Sequence, residues 1–189
     1  GRLAVGAREE RESGGRCARF GVPVTRERAV ADASEAIEAA RALGPKVVLK
    51  VLSERIPHKT EVGGVALGLS EHSIGQALDD MRRVVTQKAG FVPERFLVQE
   101  MVNGGHELIL GFHRDPQLGP ALLLGMGGHS AELLRDTSMR LLPITRNDAD
   151  AMLRELKTFA LLDGYRGAPD ADIDALVDCI IASADMVTT

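Results

Sequence analysis

Between Val47 and Leu69 the chain reads VVLKVLSERIPHKTEVGGVALGL, and Lys50, His58, Lys59, Gly63 and Gly64 have the types and spacing suited to handling phosphate. Imidazole as a side-chain class titrates near neutral pH, which makes His58 a candidate nucleophile toward phosphorus or a proton carrier. Lys50 and Lys59 supply positive charge for anionic oxygens. Gly63 and Gly64 would let the backbone approach a ligand and aim its amides at it. Pro57 lacks an amide hydrogen and biases Ile56 toward an extended conformation, which presents His58 and Lys59 at an exposed bend. Spacing alone is equally compatible with a solvated hairpin loop whose lysines and histidine do nothing. No GxxxxGK[ST] phosphate loop occurs, and the glycine sets lack the strand, loop and helix order of a dinucleotide fingerprint.

The elements that must position these residues follow from periodicity. Val47 to Leu49 is a buried-type apolar run ending at Lys50, and Val62 to Leu69 restarts the strand pattern, so Ser53 to Thr60 crosses between two strands. Asp32 with Glu35 resembles a helix-start box, followed by Ala36, Ile37, Ala40 and Leu43 at helical spacing until Gly44. A second helix, from near Ser70, carries Ile74, Leu78, Met81 and Val85 on one face and turns Asp79, Asp80, Arg82 and Arg83 outward. Phe96 to Met101 reads as a further strand. Val22 to Met101 therefore forms an α+β lobe, with connections too short for a doubly wound parallel sheet.

Past the turn Asn103-Gly104-Gly105, HELILGF places Glu107, Ile109 and Gly111 on one strand face and Leu108, Leu110 and Phe112 on the other. Pro120 to Met126 is an apolar strand broken by Gly127-Gly128, and Ser130 to Asp136 is expected to return antiparallel to it. Thr145 caps a helix presenting Met152, Leu153 and Leu156. A last helix from near Asp170 carries Ile173, Leu176, Val177, Ile180, Ile181 and Ala184 as a wide apolar stripe that needs a partner surface.

Composition narrows the function classes. At 189 residues the chain suits one domain, divisible into two lobes. A net charge of -4, 3% aromatics and no Trp argue against nucleic acid, which rewards basic surfaces and stacking platforms. Cys17 and Cys179 are too few for a disulfide framework or a cysteine-rich metal site, and no apolar run reaches membrane-spanning length, so a cytoplasmic setting is expected. The lead-in GRLAVGAREERESGG lacks the apolar core of a signal peptide and reads as poorly ordered.

Taken in order, FGVPVT, VVLKV, IPHKTEVGGVALGL, LVQEMVNGGHELILGFHRDPQLGP, GMGG, ELLRDTSMRLLPIT and LLDGYRG resemble the motifs of the ATP-grasp domain of ADP-forming acyl-CoA synthetases, a group that includes acetate-CoA ligases and is related to succinyl-CoA synthetase. The resemblance covers roughly residues 20–185. It implies an α+β ATP-grasp fold of two lobes with mixed or antiparallel sheets and the nucleotide between them. The lead-in would be 1–19, the small lobe 20–98 and the large lobe 99–189. It further implies ATP or ADP and Mg2+ as cofactors, with CoA held in a partner domain. Lys50 matches the lysine that contacts nucleotide phosphates, with Lys59, Gly63 and Gly64 in the loop beside it. Glu100, Met101 and Val102 fall where the family's hinge meets adenine through backbone groups, with Val98 and Met101 placed to sandwich the ring. Glu107 matches an acidic position near the nucleotide.

Glu132 and Asp136 match the family's magnesium ligands. On a straight strand, positions four apart lie about 13 Å distant at about 3.3 Å per residue. Binding one ion at about 2 Å thus requires a bend after Leu134, two ions, or one indirect ligand. Arg140 matches an arginine that would grip the transferring phosphoryl group with its planar fork. His58 matches a loop histidine that accepts a phosphoryl group in some members. His129 stands where the family more often has an apolar residue and is assigned no role.

Family members continue past the last helix into strands with an acidic and Asn-Pro segment that completes the metal site, so the resemblance implies a large lobe truncated at its C-terminus. The expected function is the phosphoryl-transfer half of an ADP-forming acid-CoA ligase, working with CoA-binding and ligase domains or a partner subunit, and open to homo-oligomer formation. The rivals are a nucleotide-sensing remnant that binds without catalysis, and a carboxylate-amine ligase, for which a phosphohistidine loop has no evident purpose. The acyl substrate is not legible.

Overall fold

A computed structural model describes residues 15, 17–56, 58–127 and 136–188. The chain divides into two compact units, one built on Val24–Asn103 and the other on Gly104–Thr189 with residues 16–23. Among the described residues no helix is long and apolar enough to cross a membrane.

In the first unit, β1 (Glu27–Val30), β2 (Val47–Val51), β3 (Val65–Leu69) and β4 (Phe96–Glu100) form one sheet in the order β1-β4-β2-β3, with every pairing antiparallel. Strand alternation sorts β2 into two faces. Val47, Leu49 and Val51 join Phe96, Val98 and Val30 in a core closed by the helices α1 (Ala33–Leu43) and α2 (Ile74–Ala89). Lys50 points to the opposite face, in register with Leu97 and Val65. Asp32 caps α1 as its sequence suggests, accepting from the Glu35 amide, while Glu35 reaches back to the Ala31 amide. The small residues Ala36, Ala39 and Ala40 are fully buried and keep that face of α1 low. Where Gly75 of α2 meets α1, a side chain would lie 3.3 Å from Ile37. Arg82, expected to face outward, instead donates to the Ala31 carbonyl at 2.6 Å and lies 5.2 Å from the centroid of Phe96, its aliphatic stem covering the helix edge.

In the second unit, β5 (Leu108–Asp115), β6 (Gly119–Met126) and β7 (Thr137–Leu141) form an antiparallel meander. Leu108, Leu110 and Phe112 pair across β6 with Met126, Leu124 and Leu122, which puts one apolar face under α3 (Arg146–Glu155) and α4 (Ile173–Thr188). The return strand to β6 is Thr137–Leu141 rather than the expected Ser130 to Asp136. Asp136 precedes it, and residues 130–135 lie outside the described ones. Most of the expected lead-in lies outside them too, while residues 17–19 form a helical turn.

Thr145 closes a full capping box: its hydroxyl accepts from the Asp148 amide and Asp148 accepts from the Thr145 amide at 2.8 Å. Replacing Thr145 by Ala should lower the urea unfolding free energy by about 0.5 to 2 kcal/mol, with the denaturant slope unchanged.

Candidate functional site

The loop between β2 and β3 is pinned at both ends. Ile56 is only 5% exposed and belongs to the helix-side core. At the far end the Gly64 amide donates to the Lys59 carbonyl at 2.7 Å, the Gly63 amide to the Thr60 carbonyl at 3.1 Å, and the Gly64 carbonyl accepts from Val51 at 2.8 Å. These contacts revise the expectation for the glycine pair, because both amides close the turn instead of facing a ligand. A side chain on Gly64 would place its Cβ 2.5 Å from Val51 Cγ1, and Gly63 has φ +74°, where other residues are strained. The result is local: His58 is exposed and Lys59 is half-buried on a loop anchored at both ends. His58 lines a cleft of about 250 Å³ with Arg55, Ile56, Glu61, Val62 and Phe91.

Lys50 is half-buried on the sheet face away from the helices. At the end of β4, Glu100 is bound by the backbone amide of Arg26 at 2.8 Å and by its guanidinium at 2.7 Å. Those two donors hold the Glu100 carboxyl below the usual carboxylate range. The Glu100 amide donates to the Arg26 carbonyl and the Met101 amide to the Lys46 carbonyl, while Val102 is 71% exposed. Val98, expected to sandwich the adenine ring with Met101, is fully buried against the helices. The alternation of β4 sends it to the opposite face from Lys50's neighbours.

In the second unit, Glu107 is exposed and its carbonyl accepts from Gly127 at 2.7 Å. Arg140 pairs in register with Leu122 and Ser138 with Leu124, so both lie on the helix-covered face of the meander. There Arg140 forms an ion pair with Glu155 and bonds the Ser138 hydroxyl and the Met139 carbonyl. The Glu155 hydrogen bond and charge raise the Arg140 guanidinium pKa further. The fork expected to grip a phosphoryl group is thus engaged by α3.

Asp136 is 5% exposed. Its Oδ1 accepts from the Lys157 amide at 2.8 Å, and Oδ2 from the Thr158 amide at 2.9 Å and from the Thr158 hydroxyl. Burial alone would raise its pKa, but the Thr158 hydroxyl and the two amides outweigh that and hold it below the usual range. A carboxylate offers about four lone-pair directions, of which three are taken here. The other expected metal ligand, Glu132, lies outside the described residues, among which no group of three His, Cys, Asp or Glu could hold a metal ion. The described donors therefore do not assemble a magnesium site.

The sequence reading missed Arg55, Phe91, Arg26 and Glu155. Arg55 stood three residues before His58 inside the loop, the one local signal available. The others are distant in sequence: Phe91 follows α2, Glu155 ends α3 and Arg26 precedes β1.

The profile of the ATP-grasp domain family matches residues 6–189. The chain belongs to that family. It is 42% identical over 166 residues to acetate-CoA ligase (ADP-forming) I of Archaeoglobus fulgidus, a match spanning 86% of this chain and 24% of that protein. It is 34% identical over 171 residues to the beta subunit of acetate-CoA ligase (ADP-forming) I of Pyrococcus furiosus, spanning 88% of this chain and 73% of that subunit. A solved structure of Ca. Korarchaeum cryptofilum dinucleotide forming acetyl-coenzyme A synthetase 1 superposes with a TM-score of 0.79 at 36% identity, over 95% of this chain and 76% of the other. That structure holds coenzyme A and Mg-AMPPCP, with its phosphohistidine segment pointing towards the nucleotide binding site. The chain thus spans about a quarter of the Archaeoglobus ligase and about three quarters of the Pyrococcus beta subunit. Its α+β fold is the ATP-grasp fold.

Two outcomes test the geometry. Gly64→Ala should lose about 1 to 3 kcal/mol of stability by overpacking, and Val51→Ala in the same chain should cost less than in isolation, as a double-mutant cycle would read. Asp136→Ala should lose about 1 to 3 kcal/mol at pH 7 through unpaired donors. Because the folded Asp136 pKa is depressed, its stabilisation is present above about pH 4 and fades as pH falls through the lowered value. The gap between wild type and variant in urea midpoints should therefore narrow between pH 5 and the acid limit of folding.

Proposed function

We propose that this chain is the nucleotide-binding, phosphoryl-transferring part of an ADP-forming acid-CoA ligase. The observation that carries the reading is His58, exposed on a loop whose two ends are fixed by Ile56 and Gly64, in a member of the ATP-grasp domain family. A nucleophile that must meet a bound triphosphate needs an exposed ring on a backbone held in place. In this proposal Lys50 and Lys59 draw the phosphates of ATP, Glu100, Met101 and Val102 flank the adenine, and Glu107 lies near the nucleotide. One imidazole nitrogen of His58 forms a bond to the γ-phosphorus as the bridging oxygen bond to ADP breaks, and the ring proton passes to solvent. Partner domains or a partner subunit would supply CoA binding and the acyl group, so that acid, CoA and ATP give acyl-CoA, ADP and phosphate. Magnesium, when bound, would offset charge on the transferring phosphates. Glu132 is its proposed ligand, and Asp136 would offer at most the lone pair left beyond its three hydrogen bonds. Arg140 could join the phosphoryl site only by exchanging Glu155 for phosphate.

The engagement of Asp136 and Arg140 by the framework favours a second reading, a module that binds nucleotide without turning it over. Incubation with γ-labelled ATP and Mg2+ separates the two. Phosphoryl transfer predicts acid-labile, base-stable label on the protein that His58→Ala abolishes, at unchanged nucleotide affinity. Nucleotide binding with no such label, with and without the partner domains, selects the binding module.

A further inference from the structure

Arg55 holds a position that the transfer step does not use. Its guanidinium carbon lies 3.9 Å from the centroid of the Phe91 ring. Phe91 follows Gly90, whose left-handed backbone (φ 75°) ends α2, and it packs against the helix-side core. The platform under Arg55 is therefore fixed by the fold. At this separation the guanidinium carbon is in cation–π contact with the ring, and the exposed Arg55 keeps N–H donors for a further acceptor. The cleft of about 250 Å³ that contains Arg55 also contains His58, so a nucleophilic ring and an aimed cation share one concavity.

We propose that this cleft receives the phosphoryl group of phosphorylated His58, with Arg55 as its ligand and Phe91 as the positioning residue that aims Arg55. The inference rests on the phosphohistidine reading above. Phosphorylation would place up to two negative charges and three acceptor oxygens on an exposed loop, and the planar fork of Arg55 in the same cleft would match two of those oxygens. Stacking has already restricted the rotamers of Arg55, so little ordering remains to oppose the contact. Ile56, Val62 and Phe91 supply apolar contact beside the charge pair, and Arg55 docked on the phosphoryl oxygens would shield phosphorus from solvent. Water would otherwise attack phosphorus, forming a new P–O bond as the P–N bond breaks and returning a proton to the imidazole.

Glu61 lines the same cleft and opposes the dianion. A phosphoryl group carried between two reactions must be held and then given up, and one carboxylate facing one guanidinium keeps the docking from becoming a trap. Arg55 and Glu61 thus set the lifetime of the phosphorylated loop from opposite sides.

The test phosphorylates the full chain chemically with phosphoramidate, so that His58 carries phosphate whether or not ATP delivers it. The decay of the label that is missing in His58→Ala is then followed at pH 8. Arg55→Gln and Phe91→Leu should shorten its lifetime roughly tenfold or more, the scale of one charge-assisted hydrogen bond. Arg55→Lys should recover part of the loss, Glu61→Gln should lengthen the lifetime, and melting temperatures should stay within a few degrees of wild type. Equal lifetimes in Arg55→Gln and wild type overturn the proposal. So does a shortened lifetime that Arg55→Lys does not improve and that tracks a lowered melting temperature. Because the label does not come from ATP, failure here is separable from failure of the transfer reaction.

Discussion

The close approach of Gly64 to Val51 is the constraint on which the loop depends. Val51 is fully buried on the helix side of the sheet and pairs in register with Phe96, so it has no room to yield. Its amide donates to the Gly64 carbonyl, and the Gly64 amide turns back to Lys59. A residue with any side chain at position 64 would break this closure by collision, not by loss of flexibility. Ile56 anchors the other end by burial. Between these two anchored ends the loop carries the exposed imidazole of His58.

Much of the charge that the family pattern assigns to nucleotide and metal is used here to hold secondary structure together. Glu100 ties the end of β4 to the start of β1 through Arg26. Asp136 anchors the turn after α3, and Arg140 ties β7 to α3 through Glu155. Each is a polar group satisfied by the framework, as buried and half-buried polar groups must be. In the second unit Asp136 and Arg140 are both engaged by neighbours around α3, so any ligand that used them would compete with existing hydrogen bonds and with the packing of α3.

Local signals in the chain were legible wherever one element satisfied its own needs. Asp32 before α1, Thr145 before α3, the alternation of Leu108, Leu110 and Phe112, and the apolar stripe of α4 all appear where periodicity and capping place them. The order of elements in the first unit and the hairpin across the His58 loop were legible for the same reason. The return strand to β6 was not, because Thr137–Leu141 alternates a buried serine and a half-buried arginine with exposed residues, and no apolar period marks it. Val98 was misplaced because a run of three buried residues in β4 hides which of its faces meets the helices.

What the amino-acid sequence determined by itself was the type of each element, the residues that turn and cap it, and the spacing of Lys50 and His58 around one loop between two strands. What only the tertiary structure decided was the employment of each polar group: that the amides of Gly63 and Gly64 close a turn, that Asp136 serves Lys157 and Thr158, that Arg140 belongs to Glu155, and that Arg55 lies on Phe91. The reason is the range of the forces. Helix periodicity, strand alternation and capping act over a few neighbouring residues, whereas a hydrogen bond or a stacking contact is settled by whichever distant group the sheets and helices bring within about 3 to 4 Å.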